Sequence, residues 1–355
     1  MLSKAHFAGW LLILLALSLL PVACLAPPEP ITLTVYGWED ELTADLFTDF
    51  TAATGIRVEP VIYTSTEEGV ESLRAGNAYD VMVTENRFVP TLIAEGLLAP
   101  IDQSHIPNFR NISLNFRDLL YDPGNHYTVP YSWGTTGLLV RTDLVEEPVR
   151  RWADLWDGRY AGRVAIWRGQ SREVISLTLK SLGYSANEES PEALAAAEAR
   201  LLDLRPHVLF IEDYSLVSAA SMLADGTAVM AMGYSRDMIE GRQLNPNIEY
   251  LLPEEGAVLW GDNFVIPAAS QHPKEAADLI NYLLSGLVGA SLIQRTFYAP
   301  PHEAALALLG PALAGDPVLF PPQEVMQNTE IVMPLSPEGE ERYARVWQNF
   351  LDGGE

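Results

Sequence analysis

Ile31-Thr32-Leu33-Thr34-Val35-Tyr36 alternates apolar and polar side chains and is rich in β-branched residues, the pattern of a strand with one face on a core. Just downstream, Leu42, Leu46, Phe47 and Phe50 recur at helical spacing, which predicts a helix over 42–54 with Gly55 as its stop. A second strand is expected over 57–63, a helix over 66–75 ending at Gly76, and a third strand over 79–83. This β-α-β-α-β order implies a parallel sheet with helices on its faces. The same alternation returns later, with strands over 163–167, 208–211 and 228–232 and a short one over 264–266. Helices are expected over 172–182, 190–204, 216–223 and 273–284. Two α/β lobes meeting near 137–144 fit this layout.

The N-terminus stands apart from the fold. Lys4 and His6 precede an apolar run over 10–20 that ends in Pro21-Val22-Ala23-Cys24. The run is short for a bilayer span, which needs about 20 apolar residues. A weakly basic start, a short apolar core and small residues describe an export signal over 1–23. The lone cysteine of the chain, Cys24, sits at its end and is expected to carry lipid, although the Leu usual three places before such a Cys is here one step earlier, at Leu20. An ordinary cleaved signal with an incidental Cys is the alternative. Residues 24–30 form a lipidated linker, stiffened by Pro27, Pro28 and Pro30. Beyond Cys24 there is no thiol for a disulfide or a thiolate metal site.

The formal charge is −25, from 22 basic and 47 acidic residues. Such a surface repels phosphate backbones, so nucleic acid is excluded as a partner, and it raises the local concentration of cations. Nucleophile-elbow, zincin and Walker signatures are missing. The six His residues have no metal-ligand spacing, and His126, His207, His272 and His302 read as loop residues. Glu254-Glu255 reads as a solvated acid pair. Neither catalysis, nor a cofactor, nor a metal is expected.

Aromatics paired with acids do recur at strand ends: Tyr36-Gly37-Trp38-Glu39-Asp40-Glu41, Tyr234-Ser235-Arg236-Asp237, and Trp260-Gly261-Asp262, the last taken to precede the 264–266 strand. Ligands of open α/β sheets bind outside the carboxyl ends of strands. Aromatic faces attract cations, carboxylates accept ammonium N–H bonds, and rings cover the methylenes between. Half-buried packing aromatics beside solvated acids are the plainer alternative for any one group.

From Ile31 to the end the chain also resembles the periplasmic spermidine/putrescine-binding proteins of ABC transport systems. The most specific stretches are Leu33-Thr34-Val35-Tyr36-Gly37-Trp38, Tyr79-Asp80-Val81-Met82-Val83, Tyr127-Thr128-Val129-Pro130-Tyr131-Ser132-Trp133-Gly134-Thr135-Thr136-Gly137, Trp152-Ala153-Asp154-Leu155-Trp156 and Trp260-Gly261-Asp262. The resemblance implies a two-lobed, type II-like periplasmic-binding-protein fold, with the ligand cleft between lobes and more than one crossing. Lobe 1 would take 31–138 and 261–307, and lobe 2 would take 139–260 and 308–355. It implies no enzyme but a binding lipoprotein of an ABC importer that captures a polyamine-like organic cation. That protein would be a monomer that meets permease subunits. It would act in the periplasm or on the outer face of the cytoplasmic membrane, held by lipid. A ligand-sensing receptor for a membrane signalling partner, using the same cleft, is the alternative.

Carried over residue by residue, Trp38, Trp260 and Tyr298 match wall aromatics, and Glu173 and Asp262 match acids. Asp40 lies where acids occur in the same loop. Asp237 matches the acid of the putrescine-type pattern, and Tyr234 replaces a usual Trp. Glu41 stands where Tyr is usual, Glu85 where a small hydroxyl is common, and Arg87 where some members have Tyr. Gln170 is near an Asp of the spermidine binders. Arg87 is expected either to neutralise Glu41 or Glu85, or to meet a carboxylate on the ligand.

Overall fold

The computed structural model describes residues 30–38, 41–212 and 218–354. The signal, Cys24 and the linker up to Glu29 lie outside them, as do Asp40 and the first two residues of the helix expected over 216–223. In chain order the elements begin with β1 (Thr32–Gly37), a 3₁₀ turn (Ala44–Phe47) running into α1 (Thr48–Thr54), β2 (Arg57–Ile62), α2 (Thr66–Arg74), β3 (Val81–Glu85) and α3 (Val89–Ala94). Then come β4 (Thr128–Arg141), β5 (Val164–Trp167), α4 (Ser171–Ser181), α5 (Pro191–Leu204), β6 (Val208–Ile211), α6 (Ala219–Ala224), β7 (Met230–Tyr234), α7 (Ser235–Leu244) and β8 (Ile248–Leu251). The chain continues through β9 (Val258–Val265), α8 (Pro273–Leu283), α9 (Gly286–Thr296), two single-turn helices, β10 (Glu330–Ile331) and α10 (Pro337–Asp352).

The strands join in the order β2-β1-β3-β9-β4-β7-β5-β6, with β10 on β9 and β8 on β4. The two ends are parallel units, β2-β1-β3 and β7-β5-β6. Between them β4 and β9 run antiparallel to each other and to their outer neighbours. Each parallel unit is the core of one lobe, and β4 and β9 carry the chain across.

Alternation decides the packing. Leu33, Val35, Val81 and Val83 face one buried cluster with Phe47, Phe50, Ile106, Phe264 and Ile280. Tyr36 and Met82, of opposite parity, face a second with Tyr63, Leu73, Leu92 and Val265. Apolar residues on both faces are the mark of a sheet covered on both sides. The other lobe packs β5 and β7 against α4, α5 and α10 through Trp152, Trp167, Leu201, Val346 and Phe350.

Four local expectations change. The junction near 137–144 is not a break: β4 is one strand of 14 residues. Its Gly134 and Gly137 allow close approach, since a Cβ on Gly134 would lie 2.3 Å from the Trp260 ring and one on Gly137 2.5 Å from the Leu251 carbonyl oxygen. Likewise the strand expected over 264–266 is the end of β9, so Trp260-Gly261-Asp262 lies inside a strand. His302 is buried rather than looped out; its Nδ1 accepts the Ala305 N–H at 3.3 Å, and burial lowers it to about 4. Glu255 is also tied in, accepting the backbone N–H groups of Trp152 (3.0 Å) and Ala153 (3.2 Å).

Candidate functional site

Strand register builds the first half of the site. β3 ends at Glu85, whose partner across the antiparallel pair is Asp262 of β9. On its other side Asp262 is opposite Ser132 of β4, just past an irregularity in that pairing. The Ser132 hydroxyl donates to Asp262 Oδ2 at 3.4 Å. Opposed residues of an antiparallel pair share a face, so two carboxylates sit side by side. Glu41 joins them. It is fully buried, and its loop is held by an N–H to the Trp38 carbonyl (3.3 Å) and by Arg295 Nη2 donating to the Glu41 carbonyl (2.9 Å). Burial, then the charges of Asp262, Glu41 and Glu85, hold the Tyr63 phenol well above its usual range. Trp38 lies edge-on to that Tyr63 ring, centroids 4.7 Å apart at 80°.

Arg87 follows Glu85 on a 3₁₀ turn (Asn86–Phe88). Its Nε donates to Glu85 Oε2 and its Nη2 to Glu67 Oε1, each at 2.7 Å. Of the two partners expected for an internal ion pair, Glu85 is the one it meets; Glu67, from the first turn of α2, was not foreseen.

The second half comes from the other parallel unit. Trp167, at the end of β5, stacks on Tyr234, at the end of β7, at 4.5 Å and 24°. Tyr234 meets Trp260 edge-on at 5.6 Å, and Trp260 meets Tyr298 edge-on at 5.1 Å. Four rings thus form a continuous wall. Glu173 enters from the first turn of α4, where an acid also complements the helix dipole. The Thr136 hydroxyl donates to its Oε1 at 3.4 Å, and Tyr234 hydrogen-bonds to it. Burial first, and then Glu85 from across the cleft, push Glu173 up to about 7, against the pull of Tyr234, Arg87 and Thr136.

Buried polar atoms normally find partners. Glu173 Oε2 and the Trp260 indole N–H are buried with no hydrogen-bond partner among the described residues. The Glu173 oxygen left in this state between rings suits a hydrogen-bond donor on a ligand with an apolar middle, whereas the indole N–H calls for an acceptor.

Asp237 is placed differently from the other acids. It is buried, its Oδ2 accepts the Tyr234 N–H at 2.6 Å, and it caps α7. Burial drives it up to about 8, partly offset by that N–H. Gln170 is exposed at the head of α4. The sequence reading missed Trp167, although it ends a strand, and it gave no role to Arg236. Arg236 Nη1 donates to the Tyr298 hydroxyl at 2.8 Å, so α7 reaches across to the segment after α9. No group of three or more metal-ligating side chains is placed to hold an ion among the described residues.

Comparison with known proteins agrees with this geometry. The family model described as bacterial extracellular solute-binding protein matches residues 45–321. The spermidine/putrescine-binding periplasmic protein of Escherichia coli is 33% identical over 302 residues, covering 84% of this chain and 86% of that one. The putrescine-binding periplasmic protein SpuD of Pseudomonas aeruginosa is 29% identical over 343 residues, covering 90% and 92%. The crystal structure of the spermidine/putrescine ABC transporter substrate-binding protein of Streptococcus pneumoniae superposes with a TM-score of 0.80 at 28% identity, over 92% of this chain and all of that one. With a matched fold, a model spanning most of the chain and a relative at one-third identity, this chain belongs to the bacterial extracellular solute-binding proteins, among the spermidine/putrescine-binding members of that family.

Proposed function

We propose that the chain is the exported binding component of an ABC importer and that it captures a polyamine between its lobes. One observation carries this reading more than any other. Carboxylates reach a shared aromatic wall from two sides, Asp262 from the crossing strand β9 beside β3 and Glu173 from α4 on the other parallel unit. A polyamine has ammonium groups for the acids and methylenes for the rings. The ligand set is Trp38, Asp40, Glu41, Glu85, Arg87, Glu173, Tyr234, Asp237, Trp260, Asp262 and Tyr298, with Glu85, Arg87 and Asp237 acting through neighbouring groups rather than on the ligand. The role is capture and release without chemical turnover.

Lobe 1 comprises 31–138 and 261–307, and lobe 2 comprises 139–260 and 308–355, a division that two buried clusters follow apart from Leu138, while a further cluster packs Ile239 and Leu319 against Ala290 and Ile293 across it. The lobes close by bending of β4 and β9 near 137–140 and 260–262. The protein works as a monomer that docks on permease subunits, and lipid on Cys24 keeps it at the membrane, each buried CH₂ contributing about 0.8 kcal/mol. Cys24→Ser is expected to move the protein from the membrane fraction to the soluble one. Sedimentation with membranes in high salt despite the substitution contradicts the anchor.

A ligand that binds only the folded state stabilises it, by about 2.7 kcal/mol at a hundredfold excess over Kd. Thermal melts with putrescine and with spermidine are therefore expected to rise by several degrees, and melts with γ-aminobutyrate or glucose to stay in place. A rise with the uncharged sugar and none with either amine overturns the polyamine reading.

A further inference from the structure

Resting on the polyamine reading, we infer that Arg87 is a specificity-determining residue: a tethered cation that occupies the place of a third ammonium and restricts the cleft to short diamines. The first ground is the state of Glu85. Its Oε1 accepts the Thr66 hydroxyl at 3.1 Å and its Oε2 accepts Arg87 Nε at 2.7 Å, so both oxygens are engaged within the protein. The second ground is the state of Arg87. Its fork is shared between Glu85 and Glu67, its guanidinium lies 4.1 Å from the centre of the Phe88 ring, and its side chain is only 15% exposed. A guanidinium held by two carboxylates and a ring is not poised to receive a carboxylate from a ligand, which disposes of the second role open to it.

The third ground is position. Neighbouring Asn86 donates from Nδ2 to the Val332 carbonyl at 3.0 Å, which places the 86–88 turn against the C-terminal segment. The charge of Arg87 is felt by Glu173 and Arg172 on α4. Arg87 therefore faces the cleft from lobe 1 toward lobe 2. Glu85, an acid of the cleft, is thus withdrawn from the ligand by a cation of the protein itself. A third ammonium arriving beside Arg87 meets a like charge in a poorly hydrated place, and such juxtaposition is costly.

The test is a calorimetric titration of putrescine and of spermidine into wild type, Arg87→Met and Arg87→Lys, each first checked by its thermal melt. Wild type is expected to bind putrescine about tenfold or more tightly than spermidine. Arg87→Met keeps an unbranched stem and frees Glu85 and Glu67 for an ammonium, so the preference is expected to shift toward spermidine by about tenfold or more. Arg87→Lys keeps the charge and is expected to keep the wild-type preference. A preference for spermidine in wild type, or an unchanged ratio in a folded Arg87→Met, overturns the inference while leaving polyamine binding intact. If Arg87→Met does not fold, the ratios of wild type and Arg87→Lys decide. Wild type binding neither amine overturns the polyamine reading itself, and this inference with it.

Discussion

Asp262→Asn is expected to lower affinity for putrescine by at least tenfold while the empty protein melts at the same temperature or higher. The two halves of this result have one cause. Asp262 lies opposite Glu85 across the β3-β9 pair and is buried to 6% exposure. Like charges directly opposed destabilise a sheet, so neutralising one relieves the empty site. The ligand loses the counter-charge of a desolvated ammonium, and truncating one partner of such a pair costs about 2–5 kcal/mol. Asn keeps the shape and still accepts from the Ser132 hydroxyl. Asp225→Asn is the control, because Asp225 is exposed in a turn away from the cleft, where it accepts the Thr227 N–H at 2.8 Å. Calorimetric titration of both variants measures the difference. Wild-type affinity in Asp262→Asn means that the cation is held elsewhere.

The second large effect is on pH. Glu173 is pushed up to about 7, first by burial and then by Glu85. In the empty cleft it is mostly protonated below that pH, yet the ammonium needs the carboxylate. Binding below pH 7 therefore releases a proton and weakens by up to about tenfold per pH unit, since one pKa unit corresponds to 1.36 kcal/mol. Affinity is expected to fall about tenfold from pH 8 to pH 6 and to be flat above 8. The amines themselves stay charged over this range, as a lysine side chain does. Glu173→Gln should be weaker at pH 8 and should lose the slope. A flat wild-type profile between pH 6 and 8 removes Glu173 from the ligand's partners.

The parallel units were legible because their signals are local. The alternation at 31–36, the helical spacing of Leu42, Leu46, Phe47 and Phe50, and the stops at Gly55 and Gly76 can each be read within a dozen residues. The crossing strands were not. β4 and β9 contain Gly134, Gly137 and Gly261, and neither was read from the residues as one long strand. In the fold the first two are the places where a neighbour comes too close for a Cβ. The resemblance to a family pointed to the second crossing, and the residues alone did not.

The site was legible in kind and less so in arrangement. Trp38, Tyr234 and Trp260 were singled out as aromatics beside acids, Tyr298 only through the resemblance, and all four do form ring contacts, the last three in one wall. That Asp237 caps α7 is a short-range fact, three residues from Tyr234, but a capping acid and a ligand acid look the same in sequence. The choice between Glu41 and Glu85 for Arg87 turned on the path of the loop after β1. Its other partner, Glu67, lies 20 residues away on a helix whose placement needs the whole β1-α2-β3 layer. Arg236 shows the same limit, because Tyr298 is 62 residues downstream.

The most direct test of the central claim is a calorimetric titration of putrescine into the wild-type protein at pH 8, repeated with spermidine. A saturable one-to-one isotherm with putrescine, weakened at least tenfold by Asp262→Asn, is the predicted result. No saturation with either amine up to millimolar concentration, in protein that gives a cooperative thermal melt, contradicts the account.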